Sequence, residues 1–162
     1  MGYVPSLDIC CQNCTPTSGT HKWGRQERRA WHRIKSGLSV HRGERLRFLT
    51  LTSAPGMKRD IKSARRVLIM RIRRLTPARL LKEGYITVKD LRRFYPGKGL
   101  HEPLRFEYFQ VFVGGEGVSG VYHILFVGDP IPQKWLSDNW HDITGTAYIA
   151  VSCTHLTLPT KA

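Results

Sequence analysis

The feature that most limits what this chain can fold into is a pair of apolar runs joined by a glycine-rich turn. Phe106-Glu-Tyr-Phe-Gln-Val-Phe-Val113 is followed by Gly114-Gly-Glu-Gly117 and then by Gly120-Val-Tyr-His-Ile-Leu-Phe-Val-Gly128. Both runs are dense in aromatic and β-branched residues, and the glycines between them supply turn chemistry, so the two read as an antiparallel hairpin. Alternation places Val121, His123, Leu125 and Val127 on one face of the second strand and Tyr122, Ile124 and Phe126 on the other. A histidine in such a run is either a satisfied core residue or a ligand, and its surroundings decide which.

The remaining elements can be read around that hairpin. Phe48-Leu-Thr-Leu-Thr52 is a short strand, broken by Ser53-Ala-Pro-Gly56. A helix follows over 57–75, with Ile61, Ala64, Leu68, Ile72 and Leu75 at helical spacing on one apolar face. Residues 76–105 read as a connecting region with one short helix over 88–94, closed by Tyr95-Pro-Gly97. Asp129-Pro-Ile-Pro132 ends the hairpin and starts a helix over 133–143, with proline in its first turn and Asp129 as a candidate N-cap. Gly145 stops that helix, and Ala147-Tyr-Ile-Ala-Val151 is a further strand. The order of elements predicts an α+β domain, an antiparallel sheet with helices packed on it.

Charge points to a partner. The chain carries 26 Lys and Arg against 12 Asp and Glu, a net of +14. Residues 106–162 hold only two of those basic residues, Lys134 and Lys161, so the excess lies in the first two thirds. A basic surface of this kind suits a polyanion, usually nucleic acid. A membrane surface is the rival, but no apolar run is long enough to span and no lipidation signal is present. The start of the chain lacks the order of a signal peptide, so a cytoplasmic location with reduced thiols is expected.

The basic residues concentrate in two places. On the helix over 57–75, Lys58, Arg59, Lys62, Arg65, Arg66, Arg71, Arg73 and Arg74 are opposed by one acid, Asp60, and a phosphate backbone would relieve their mutual repulsion. Over 22–47, Arg28 and Arg29 stand beside Trp31, with Trp23 nearby, on a helix expected over 25–35. Cations beside aromatic rings suit backbone contact with base stacking, and a solvated basic helix would look the same. Ahead of this lies Cys11-x-x-Cys14, the first half of a zinc-knuckle spacing, with His21 and His32 the nearest further ligands for Zn²⁺. Free thiols on a leader are the plainer reading. Three segments result: a basic N-terminal piece over 1–44, a domain over 45–151, and a tail over 152–162.

Taken in order, Phe48-Leu-Thr-Leu-Thr52, the basic helix, Phe106-Glu-Tyr-Phe, Gly120-Val-Tyr-His-Ile-Leu, and Ile131-Pro-Gln-Lys-Trp-Leu-Ser137 with Trp140 resemble rolling-circle replication initiators. These are the replication-associated proteins of filamentous phages and small plasmids, within the His-hydrophobe-His endonuclease class. The resemblance covers roughly residues 45–151. It implies a five-stranded antiparallel sheet of ferredoxin-like topology. It also implies a histidine-bearing strand that holds Mg²⁺ or Mn²⁺, and a tyrosine on a later helix that attacks a DNA phosphate. The partners implied are single-stranded or hairpin origin DNA and a host replication helicase or polymerase, in a bacterial cytoplasm reached by phage or plasmid.

This sequence departs from that pattern twice. Leu125 stands where a second histidine would, leaving His123 as the one imidazole, with Glu107 as a second metal ligand if the hairpin register brings it to that face. The family's Tyr-x-x-x-Lys motif does not follow His123; Tyr85-Ile-Thr-Val-Lys89 has the spacing but lies upstream and is read as coincidence. No catalytic residue is therefore assigned. The last eleven residues lack the hydrophobic pattern of a domain end and are expected to be a non-native tail, with the active-site tyrosine beyond residue 151. The alternative is a non-catalytic basic nucleic-acid-binding protein in which His123 is a core residue.

Overall fold

The structure is a computed structural model and describes residues 25–114, 120–146 and 149–150. Contacts divide the chain after Gly37. Helix α1 spans Arg25–Val40, somewhat longer than its sequence suggests. After Leu38 the order is β1 (Arg47–Thr52), α2 (Ile61–Arg73), α3 (Pro77–Lys82), α4 (Val88–Phe94), β2 (Phe106–Gly114), β3 (Gly120–Gly128), α5 (Gln133–Thr144) and β4 (Ile149–Ala150).

Three strands form an antiparallel sheet in the order β2-β3-β1, and the two-residue β4 pairs antiparallel with the outer side of β1. The hairpin register sets Val111 opposite His123 and Tyr108 opposite Phe126. On the other side of β3, Thr50 lies opposite His123 and Leu51 opposite Tyr122. Paired residues point the same way, so Leu49, Leu51, Tyr122, Ile124 and Phe126 share one face. That face is buried. Residues of α2 (Ile61, Ala64, Leu68, Ile72) and α5 (Trp135, Leu136, Trp140, Ile143) complete one core with it. Each fully buried aliphatic or aromatic side chain contributes on the order of 1.5–3 kcal/mol. The Trp140 indole donates to the Thr52 carbonyl at 3.2 Å, so this large side chain enters the core with its polar end satisfied.

Several boundaries differ from the sequence expectation for local reasons. Helix α2 starts at Ile61 rather than 57 because Asp60 caps it, its carboxylate accepting from the Ser63 amide at 3.0 Å. Helix α3 stands in what reads as a connector; six residues are too few to display a helical period, but Thr76 caps it and Pro77 opens it. Helix α4 carries a capping box between Thr87 and Asp90. At α5 the N-cap is Pro132, with no side-chain cap, and Asp129 does not serve that helix. Its carboxylate instead accepts from the Arg105 amide at 2.6 Å and pairs with Lys98 at 2.6 Å. Gly128 makes that closure available: its φ is +124°, and a Cβ there would overlap the Arg105 carbonyl.

Candidate nucleic-acid interface

The basic residues of α2 fall into two groups that the linear sequence does not separate. At 3.6 residues per turn, Lys62, Arg66 and Arg73 lie within about 40° of one another around the helix, on one flank of its buried stripe. All three are exposed and make no ion pair among the described residues. This flank borders the hairpin. Arg65, beside them and half-buried, donates from Nη1 to Gln110 Oε1 at 2.9 Å, and its guanidinium lies 5.2 Å from the centre of the Tyr122 ring. Lys62 Nζ is 5.4 Å from the centre of the Phe112 ring.

Lys58 and Arg59 stand elsewhere, in the loop that leads into α2. With Arg71, Val67, Asp142 and Ile143 they line an open cleft of about 510 Å³ between α2 and α5. Arg71 is engaged there by Asn139 at 2.9 Å and Asp142 at 2.8 Å. Arg29 is exposed on α1. The side chains of Arg28 and Trp31, like Cys11, Cys14 and the tail over 152–162, lie outside the described residues.

His123 occupies the sheet face opposite the core, half-buried. Its Nδ1 is hydrogen-bonded to Thr50 Oγ1 at 3.3 Å, and its ring stacks on Phe48 with centroids 5.4 Å apart and planes 19° from parallel. Leu125 follows on the same face, and Val111 lies opposite in β2. Glu107 shares this face, as the register permits, but sits four positions along β2 from Val111, about 13 Å at strand spacing. It is drawn into a ring of charges: His41 Nε2 is 2.9 Å from Glu107, His41 Nδ1 is 2.9 Å from Glu44, Arg105 pairs with Glu44, and Arg105 Nη1 lies 3.7 Å from Glu107. The hydrogen bond from His41, and next that from Arg105, hold the Glu44 carboxyl below its ordinary range. A hard divalent ion asks for several oxygen or imidazole donors at 2.0–2.6 Å. His123 with a threonine, a phenylalanine and two aliphatic neighbours does not fit that demand by itself, and among the described residues no three of His, Cys, Asp and Glu are placed so that they could hold a metal ion together.

Tyr85, which has the Tyr-x-x-x-Lys spacing, donates to Asp138 on α5 at 2.9 Å, and Lys134 pairs with the same carboxylate at 2.7 Å. Burial, and next the bond to Asp138, raise its phenol above the ordinary value. A tyrosine so placed is a poorer nucleophile, and its partner helix packs on the sheet face away from His123. The residues that sequence reasoning passed over are His41, Glu44 and Arg105 of the charge ring. Their only advance signal is the i, i+3 spacing of His41 and Glu44.

Among the described residues no helix is long and apolar enough to cross a membrane. The chain matches no family model, no curated protein and no solved structure.

Proposed function

We propose that this chain binds single-stranded or hairpin DNA in the manner of a rolling-circle replication initiator, gripping the phosphate backbone with the hairpin-side flank of α2. The observation that carries this reading is the row Lys62, Arg66 and Arg73, three exposed cations on one helical flank without a compensating carboxylate among the described residues. A solvated helix face would be expected to alternate signs. The strand order β2-β3-β1-β4, with helices following β1 and β3, supports the initiator reading, which implies a split β-α-β unit. In this reading the described residues hold the strand and position it, and they do not include the nucleophile. The test is fluorescence anisotropy with a labelled oligonucleotide across a salt series. The logarithm of affinity should fall linearly with the logarithm of salt, with a slope of about −0.7 for each phosphate held. A flat salt response would remove the proposal.

A second reading, a non-catalytic nucleic-acid-binding protein, is favoured by one observation, the Thr50 and Phe48 partners of His123. Calorimetric titration with Mn²⁺ separates the two. Heat of binding in the wild type that vanishes in His123→Ala supports the initiator; no heat in either favours the binding protein.

A further inference from the structure

Of the hairpin rings on the core side of the sheet, Phe112 is the one that stays exposed. It lies on the same sheet face as Tyr122, opposite it in register, yet 40% of it is exposed. Its ring is held rather than loose. Tyr122 packs on it at 4.7 Å between centroids. Gly120 lies beneath it, and a Cβ at Gly120 would overlap the ring, so only glycine leaves this seat open. Gly120 is itself fixed, its amide donating to Ser53 Oγ at 2.9 Å and its carbonyl accepting from the Ser53 amide at 3.2 Å. Two cations of α2 stand against this aromatic pair, Lys62 over Phe112 and Arg65 over Tyr122. From Lys62 the row continues to Arg66 and Arg73, about 6 Å and then about 10 Å further along the helix axis.

We propose that Phe112 is a stacking platform for one unpaired base of single-stranded DNA, with Lys62 and Arg66 holding the adjoining phosphates. This rests on the DNA-binding reading above and adds to it the residue that contacts a base and what that contact requires: a strand with an accessible base face, not a closed duplex. The chemistry is that of single-strand binding in general, in which a rigid ring offers a π-face to any base and a cationic track follows the backbone. In a duplex every base face is already covered by its neighbours, and Phe112 has nothing to stack on.

The experiment compares the full chain with Phe112→Leu and Phe112→Tyr, using an oligothymidine carrying one 2-aminopurine and a blunt duplex of equal length. Leucine keeps apolar bulk at the site and removes the ring; tyrosine keeps the ring. The expected result is a loss of roughly fivefold or more in single-strand affinity for Phe112→Leu, near wild-type affinity for Phe112→Tyr, duplex affinity within about twofold throughout, and an unchanged salt slope. The 2-aminopurine emission should be quenched on binding by the wild type and by Phe112→Tyr only. Equal affinities for the wild type and Phe112→Leu, or equal losses on single strand and duplex, overturn the platform and leave the DNA-binding reading standing. No binding of either nucleic acid by the wild type overturns both.

Discussion

The two faces of the sheet carry different kinds of information. The face with His123 bears the motif a reader of the sequence notices first, yet its histidine is bonded to a threonine, stacked on a phenylalanine and separated by four strand positions from the nearest carboxylate of β2. The face toward α2 bears no motif. There the core ends at Tyr122 and leaves the neighbouring Phe112 exposed, beside a row of cations that make no ion pair among the described residues. A residue type in a strand says what chemistry is available; the neighbours across the ladder and from the packed helix say whether it is assembled.

The comparison breaks most readily through the core packed on one of the two faces. Trp140→Ala removes a fully buried indole and its bond to Thr52, and should cost about 3–5 kcal/mol, measured by urea unfolding. Both faces should lose their function together. A sharper cut is the triple variant Lys62→Ala, Arg66→Ala, Arg73→Ala. It should leave the thermal midpoint within a few degrees and lower the salt slope of single-strand binding by about 2, three phosphate contacts at about 0.7 each. An unchanged slope would mean that DNA does not follow this flank. On the opposite face, His123→Ala should cost about 1 kcal/mol of stability, for one long hydrogen bond and a ring contact, and shift DNA affinity by less than about twofold. A large loss of binding with stability intact would reverse the comparison. Glu107→Gln should have the smallest effect, roughly 0–1 kcal/mol, because half-exposed ion pairs contribute little.

A pH series adds a control independent of DNA. Burial and the nearby Asp129 carboxylate push the Tyr95 phenol from its ordinary 10 up to about 12, while its hydroxyl donates to the Pro130 carbonyl at 2.6 Å. A raised acid favours the neutral form in the folded state. Its contribution should therefore be fully present below pH 10 and be lost as pH climbs through 12. Tyr95→Phe should be less stable at neutral pH and show a shallower alkaline decline.

Much of the fold was legible because the chain repeats its instructions at several levels. In β3 the alternation of Tyr122, Ile124 and Phe126 with Val121, His123 and Leu125 matches the observed burial; in α2 the spacing of Ile61, Ala64, Leu68 and Ile72 matches the buried stripe. Helix α3 was not legible as a helix, since six residues complete fewer than two turns, though Thr76 and Pro77 announce its start. Asp129 shows the limit of cap reasoning. An acid before a helix is a good cap by type, but Gly128 turns the backbone so that the carboxylate meets Arg105 and Lys98 instead. The interface was half legible. Cation counts along α2 pointed to the helix, whereas the division into a hairpin-side row and a cleft beside α5 depends on helical phase and on which neighbour packs against each flank. The exposure of Phe112 could not be read at all, because Tyr108 and Phe112 are alike in pattern, yet Tyr108 packs against the core and Phe112 stays exposed.

The strand order has a consequence for how the chain is made. β1 lies inside the sheet but finds its main partner late: Thr52 pairs with Val121, and Arg47 with Phe126. As the polypeptide leaves the ribosome, β1 must wait through some seventy residues of further synthesis before β3 can pair with it. Closing so long a loop is slow compared with local hairpin formation. During that interval Phe48-Leu-Thr-Leu-Thr52 presents an unpaired apolar edge, the kind of segment that seeks another chain. The positively charged stretches around it would then act as mutual repellents between nascent copies, keeping the segment apart from its like until β3 arrives.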